Sequence, residues 1–145
     1  MPGNVLLVDL GANRYAFGRV CPSTIAFYDL KVREVPPLDE IIVRPLLFNI
    51  WVVDYAITEG DWPVIGHVPL EQELLVEPLF FKRDPITKTL TIYRDSTGEE
   101  IPAIKAECEA LECAAVWEPE HVVDRLNDHF TGKPNKWVQS LKGEI

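Results

Sequence analysis

Asn4-Val-Leu-Leu-Val-Asp-Leu-Gly-Ala-Asn-Arg-Tyr-Ala-Phe-Gly-Arg-Val20 reads as two β-strands and the tight turn between them. Val5, Leu7 and Leu10 are apolar, with breaks at Asn4 and Asp9. Gly11-Ala12-Asn13 supplies a turn at which residues tolerant of positive φ are concentrated. On the second strand, Tyr15, Phe17 and Arg19 share one face and Ala16, Gly18 and Val20 the other, because strand side chains alternate. The Tyr15/Phe17 face is expected to pack inward. The small-residue face admits another element at close range.

Working outward, the first two-thirds of the chain is strand-like. Ser23–Leu30 is rich in β-branched and aromatic residues. Pro36-Pro37 interrupts the chain, and Leu38–Ile42 suits a short helical turn. Leu46–Ile57 is apolar on both faces and predicts a covered, central strand. Thr58-Glu59-Gly60-Asp61 is a turn, after which Trp62–Gly66 is expected to pair with Leu46–Ile57 as a hairpin. A helical turn is expected over Pro69–Leu75, with Pro at its start. Leu79–Lys82 and Leu90–Arg94 flank a loop at Asp84–Lys88, and Asp95-Ser96-Thr97-Gly98 is a further turn.

The last third differs. Glu112–Trp117 predicts a strand, and Pro119 opens a helix with Val122, Val123, Leu126 and Phe130 on one face. Gly132 stops it, and Pro134 can open a second short helix through Leu141. The expected class is therefore α+β: a bent antiparallel sheet or small open β-barrel with C-terminal helices. The length of 145 residues points to a single domain, 1–145, with a strand-rich body over about 1–102 and a helical C-terminal extension over about 103–145.

Composition narrows the function classes. Acidic residues number 23 against 14 basic, a formal net charge of −9. A nucleic-acid binder shows a basic face, so the charge argues against one; it fits either a basic protein partner or a surface that only keeps the chain soluble. Cys21, Cys108 and Cys113 are odd in number and lack ligand spacing, so neither a disulfide scaffold nor a zinc site is expected. No stretch reaches the length of a membrane span, and Met1-Pro2-Gly3-Asn4 lacks the basic start of a signal peptide, so a cytoplasmic protein is expected.

No constellation points to catalysis. His121, Asp124 and Asp128 share a helix face, but one helix supplies too few ligands for a metal, and such a face is ordinarily solvated. The acidic pairs Glu99-Glu100 and Glu118/Glu120 read as surface. No cofactor or catalytic residue is assigned. Trp51, Trp62, Trp117 and Trp137 read first as core packing; Trp62 also stands at a turn-to-strand junction, where an aromatic anchor would face a partner. With Asp61 and Glu59 it forms the candidate partner-binding set.

The words Val5-Leu-Leu-Val-Asp-Leu-Gly11 and Arg14-Tyr-Ala-Phe-Gly-Arg-Val20 resemble the opening of the immunity protein 26 family. Leu47-Phe-Asn-Ile-Trp-Val-Val53 resembles its middle strand, and Gly60-Asp-Trp-Pro-Val-Ile-Gly66 its Trp-Pro-x-x-Gly turn. Phe80-Phe81 falls where the family tends to be aromatic. The resemblance runs from about Val5 to Tyr93. It implies a small bacterial protein that binds and neutralises a cognate toxin domain, with no catalytic residues to carry across. The rival reading is a small-molecule binder or enzyme whose site is assembled from dispersed residues such as His67, His121 and the C-terminal carboxylates; a deep pocket with those groups converging would favour it. A third, a structural subunit, would show a large exposed apolar patch.

Overall fold

The computed structural model describes residues 1–143. Its strands are β1 (Asn4–Gly11), β2 (Arg14–Val20), β3 (Ile25–Tyr28), β4 (Leu46–Val52), β5 (Val64–His67), β6 (Phe80–Arg83), β7 (Leu90–Arg94), β8 (Glu99–Ala103), β9 (Glu112–Cys113) and β10 (Val116–Trp117). Its helices are α1 (Leu38–Ile41), α2 (Tyr55–Thr58), α3 (Gln72–Leu75), α4 (Lys105–Cys108), α5 (Pro119–Thr131) and α6 (Lys136–Lys142). The strands form a six-stranded sheet in the order β10-β4-β3-β2-β1-β5 and a four-stranded sheet in the order β8-β7-β6-β9. The class is α+β, with two open sheets.

The opening hairpin forms as its turn residues dictate. Ala12 and Asn13 take φ of 53° and 60°, the paired left-handed values of a type I′ turn. The Asp9 carboxylate accepts from the Gly11 N–H at 2.8 Å. Gly18 is where the small-residue face is used. A Cβ there would lie 3.0 Å from Ile25 Cγ2 and 3.3 Å from the Phe27 ring, so glycine lets β3 pack closely.

Both faces of this part of the sheet are covered. Leu6, Val8, Ala16, Ile25, Phe27, Phe48 and Ile50 pack with Val122 and Leu126 of α5. Val5 and Phe17 pack with Tyr28 and Ile41 of α1 on the other side. Phe17 is wholly buried, as its strand face predicts.

Arg19 shares that face and is also wholly buried, at 0% exposure. Its guanidinium has five N–H donors in a fixed fork. Nε donates to Gly3 O at 3.1 Å. Nη1 donates to Tyr28 Oη at 3.0 Å and to Glu71 Oε2 at 3.2 Å. Nη2 donates to Val68 O at 2.6 Å and Pro69 O at 3.0 Å. Burial pushes the Tyr28 phenol pKa up, against the downward pull of the guanidinium, and keeps it a neutral acceptor.

Three expectations are corrected. The sheets are not purely antiparallel: β10 runs parallel to β4, and β9 parallel to β6. Trp62–Gly66 does not pair with Leu46–Ile57; β5 pairs antiparallel with β1, at the opposite edge of the sheet. The physical reason is α2. The strand ends at Val52, and Tyr55–Thr58 winds into a helical turn that carries the chain round the end of the sheet. The run Glu112–Trp117 is not one strand: Glu112–Cys113 joins the second sheet and Val116–Trp117 the first. Ala114 N–H donates to Phe81 O at 2.9 Å as the chain crosses between them.

The C-terminal helices follow their caps. Pro119 occupies the first turn of α5, and Gly132 closes it at φ 72°. The Asn135 side chain caps α6, accepting from Val138 N–H at 3.0 Å.

Phe17→Ala is expected to lower stability by about 3–5 kcal/mol, read as a shift in urea midpoint. Arg19→Lys, which cannot replace five donors, is expected to cost about 3 kcal/mol or more. Glu71→Gln should destabilise as well, because it leaves the buried guanidinium without its only carboxylate, but by less than loss of the donors, since four neutral acceptors remain and the Glu71 side chain is 39% exposed. An Arg19→Lys midpoint equal to wild type would show that the network does not hold the fold.

Candidate functional site

Because β10 runs parallel to β4, with Trp117 beside Val52, both strands end at the same edge of the sheet. Val53 N–H donates to Trp117 O at 3.1 Å, which holds the two exits together. One exit leads through Asp54 into α2, the other through Glu118 into α5. Glu118 occupies the cap position of α5 and Glu120 its first turn, where the helix dipole favours negative charge. The Tyr55 hydroxyl donates to Glu118 Oε2 across the gap.

Five carboxylates gather here: Asp54, Glu59, Asp61, Glu118 and Glu120. All are exposed except Glu118, which is half-buried. Among the described residues none of the five is in an ion pair. Three of them, Glu118, Glu120 and Asp61, act on Tyr55, whose phenol pKa is pushed up to about 12. The hydrogen bond to Glu118 is the largest cause, followed by burial and then by the charges of Glu118, Glu120 and Asp61.

This corner contains Glu59 and Asp61 of the sequence-expected set, both exposed. Trp62 is corrected: it is 3% exposed and belongs to the main core, its ring edge-on to Phe27 at 5.5 Å. The turn at α2 aims the indole inward, and the backbone N–H of Trp62 donates to Ala56 O at 2.8 Å. An indole so placed is packing, not an exposed anchor.

Sequence reading missed Asp54, Tyr55, Glu118 and Glu120 as members of one site. A signal was available. Pro45–Phe81 and Ala106–Glu120 both contain repeated Asp and Glu but no Lys or Arg. The short parallel pairing of β4 with β10 brings the two base-free stretches together.

Other candidate groups do not assemble a site. His67 Nδ1 lies 2.9 Å from Asn4 Oδ1, while His121 stacks on Trp137 at 3.6 Å. Neither lines the concavity of about 380 Å³ beside Cys21 and Leu74, nor the one of about 410 Å³ beside Trp51. Asp124 accepts from Trp137 Nε1 at 3.0 Å, and Asp128 accepts from Asn135 Nδ2 at 2.9 Å. The polar face of α5, expected to be solvated, thus docks α6. Among the described residues no group of three or more His, Cys, Asp or Glu side chains is placed to hold a metal ion. No helix there is long and apolar enough to cross a membrane.

A family model described as Imm26, immunity protein 26, matches residues 1–90. No curated protein and no solved structure matches the chain.

The Tyr55 contact sets a pH dependence. Its pKa is raised from 10 to about 12, so the contact is at full strength below pH 10 and is lost as pH rises through about 12. In a tyrosinate absorbance titration, Tyr55→Phe is expected to remove the highest-pH component. An unchanged high-pH limb would show that the phenol is not held by Glu118.

Proposed function

The chain belongs to the immunity protein 26 family, and on that premise we propose that it binds and neutralises a cognate toxin by protein–protein contact, without a catalytic step of its own. The observation that carries the reading is the acidic corner. Five carboxylates stand together with no internal cation opposite them among the described residues. A basic face on the toxin complements that field, raises the rate of encounter and fixes its orientation. Glu59 and Asp61, on the exposed turn after α2, are the residues assigned to partner contact. The dispersed-site alternative has no such support, since His67 and His121 are engaged in separate local contacts.

The test is association kinetics with the toxin domain encoded beside this chain, followed by stopped flow across a salt series. Association is expected to slow about tenfold or more from 0.1 M to 1 M salt, as the Debye length falls from about 10 Å to about 3 Å. The double variant Glu59→Lys/Asp61→Lys should associate more slowly and respond less to salt, with an unchanged unfolding midpoint because both side chains are exposed. An association rate indifferent to both salt and charge reversal would reject the acidic corner as the docking surface.

A further inference from the structure

The two sheets meet along a seam. Trp51 of β4 reaches across it, with its ring 4.3 Å from that of Phe80 and edge-on to Tyr93 at 5.9 Å. At the mouth lies a cleft of about 410 Å³, lined by Trp51, Lys82, Tyr93, Asp95, Ala114 and Val116. Val116 is 59% exposed, and Trp51 and Tyr93 are half-buried. Trp51 and Val116 are register partners. Their neighbours Val52 and Trp117 pack with the core, so Trp51 and Val116 face the opposite way.

A single exposed valine needs no explanation. Here the valine edges a concavity with two aromatic rings in its walls, the residue types that carry most binding energy in protein interfaces. The cleft also adjoins the acidic corner along both strands. Trp51 precedes Asp54 by three residues and Val116 precedes Glu118 by two, so the reach of the chain keeps each pair within about 11 Å. Lys82, the cation in the lining, has its ammonium 3.8 Å from the Tyr93 ring centre and 4.0 Å from Glu100. Its charge is therefore compensated within the second sheet. What remains for an incoming segment is a shallow, open hollow of mixed lining, with Trp51, Tyr93, Ala114 and Val116 as its apolar wall and Lys82 and Asp95 as its polar rim, bordered by uncompensated carboxylates.

We propose that this seam cleft is the anchor pocket of the toxin-facing surface. It takes one apolar side chain from a toxin loop whose adjacent Lys or Arg residues lie against the acidic corner. The inference rests on the toxin-binding reading and adds a division of labour to it. The corner governs association, whereas the desolvated anchor in the cleft governs dissociation.

Val116→Glu separates the two. It adds no positive charge, so steering of a basic partner is retained, and it places a carboxylate where the apolar anchor would sit. With the toxin domain encoded beside this chain, dissociation is expected to accelerate at least about tenfold, while association stays within about twofold of wild type. The unfolding midpoint should not move, since the side chain is largely exposed. Trp51→Phe, which keeps the aromatic contact but shortens the wall, should accelerate dissociation in the same direction. If wild type binds the toxin and both variants dissociate at the wild-type rate, the cleft is not the anchor and the toxin-binding reading stands without it. If wild type does not bind, the toxin reading fails and takes this inference with it.

Discussion

A buried guanidinium is the constraint on which the first sheet and its surroundings depend. Arg19 is wholly removed from water, and an ion in that position is tolerated only when its charge is paired and its donors are satisfied. The chain meets this by bringing five segments to one point. They are the N-terminal Gly3, Arg19 on β2, Tyr28 at the end of β3, the Val68–Pro69 stretch after β5, and Glu71 before α3. Three of the acceptors are backbone carbonyls, so the fork specifies where loops run. This explains why a chain with many prolines and short elements still has a defined path there: its irregular segments are pinned by donors rather than by ladders.

The same pairing logic separates structural from unspent charge. The two base-free stretches must find cations elsewhere, and several of their acids do. Glu71 meets Arg19, Glu77 meets Arg94, and Glu112 meets Arg125 in a two-point contact at 2.7 and 2.9 Å. Arg125 in turn lies over the Phe48 ring at 3.7 Å, which ties α5 to the main core. Asp54, Glu59, Asp61, Glu118 and Glu120 receive no such partner among the described residues. Their juxtaposition follows from topology, because β10 is too short to do more than deliver Glu118 beside Asp54.

Local chemistry was legible in the sequence, and distant pairing was not. The hairpin at Gly11–Asn13, the loop at Asp84–Lys88, the Pro119 start and the Gly132 stop all form where turn and cap residues place them. These features are decided within a few residues. The partner of β5 was not decided locally: a turn at Thr58–Asp61 is compatible with a hairpin, and only the helical winding of α2 sends the chain to the far edge. Packing and anchoring both remained open for Trp62 for the same reason, since its burial depends on the direction in which that turn closes. Strand alternation placed Arg19 beside Phe17, but alternation carries no information on whether an arginine there is satisfied by carbonyls from residues 3, 68 and 69. The corner escaped because its halves lie some sixty residues apart in a chain whose acids look individually like ordinary surface.

The corner also has an energetic peculiarity that bears on its use. Like charges a few ångströms apart at a surface repel by up to about 1 kcal/mol per pair even in water. The fold offsets part of this. The N-terminus of α5 favours Glu118 and Glu120 by about 0.3–1 kcal/mol each, and the Tyr55 hydroxyl gives Glu118 a donor. Asp54, Glu59 and Asp61 have no side-chain donor among the described residues. A surface needed only for solubility would intersperse both signs, as β6, β7 and β8 do with Lys82, Arg94 and Glu100. A concentrated, unrelieved field is instead relieved when a cationic face arrives, so the repulsion carried by the free protein becomes part of the driving force for association. That coupling requires the carboxylates to be held near one another in the absence of the partner, and the parallel join of β4 with β10 does this.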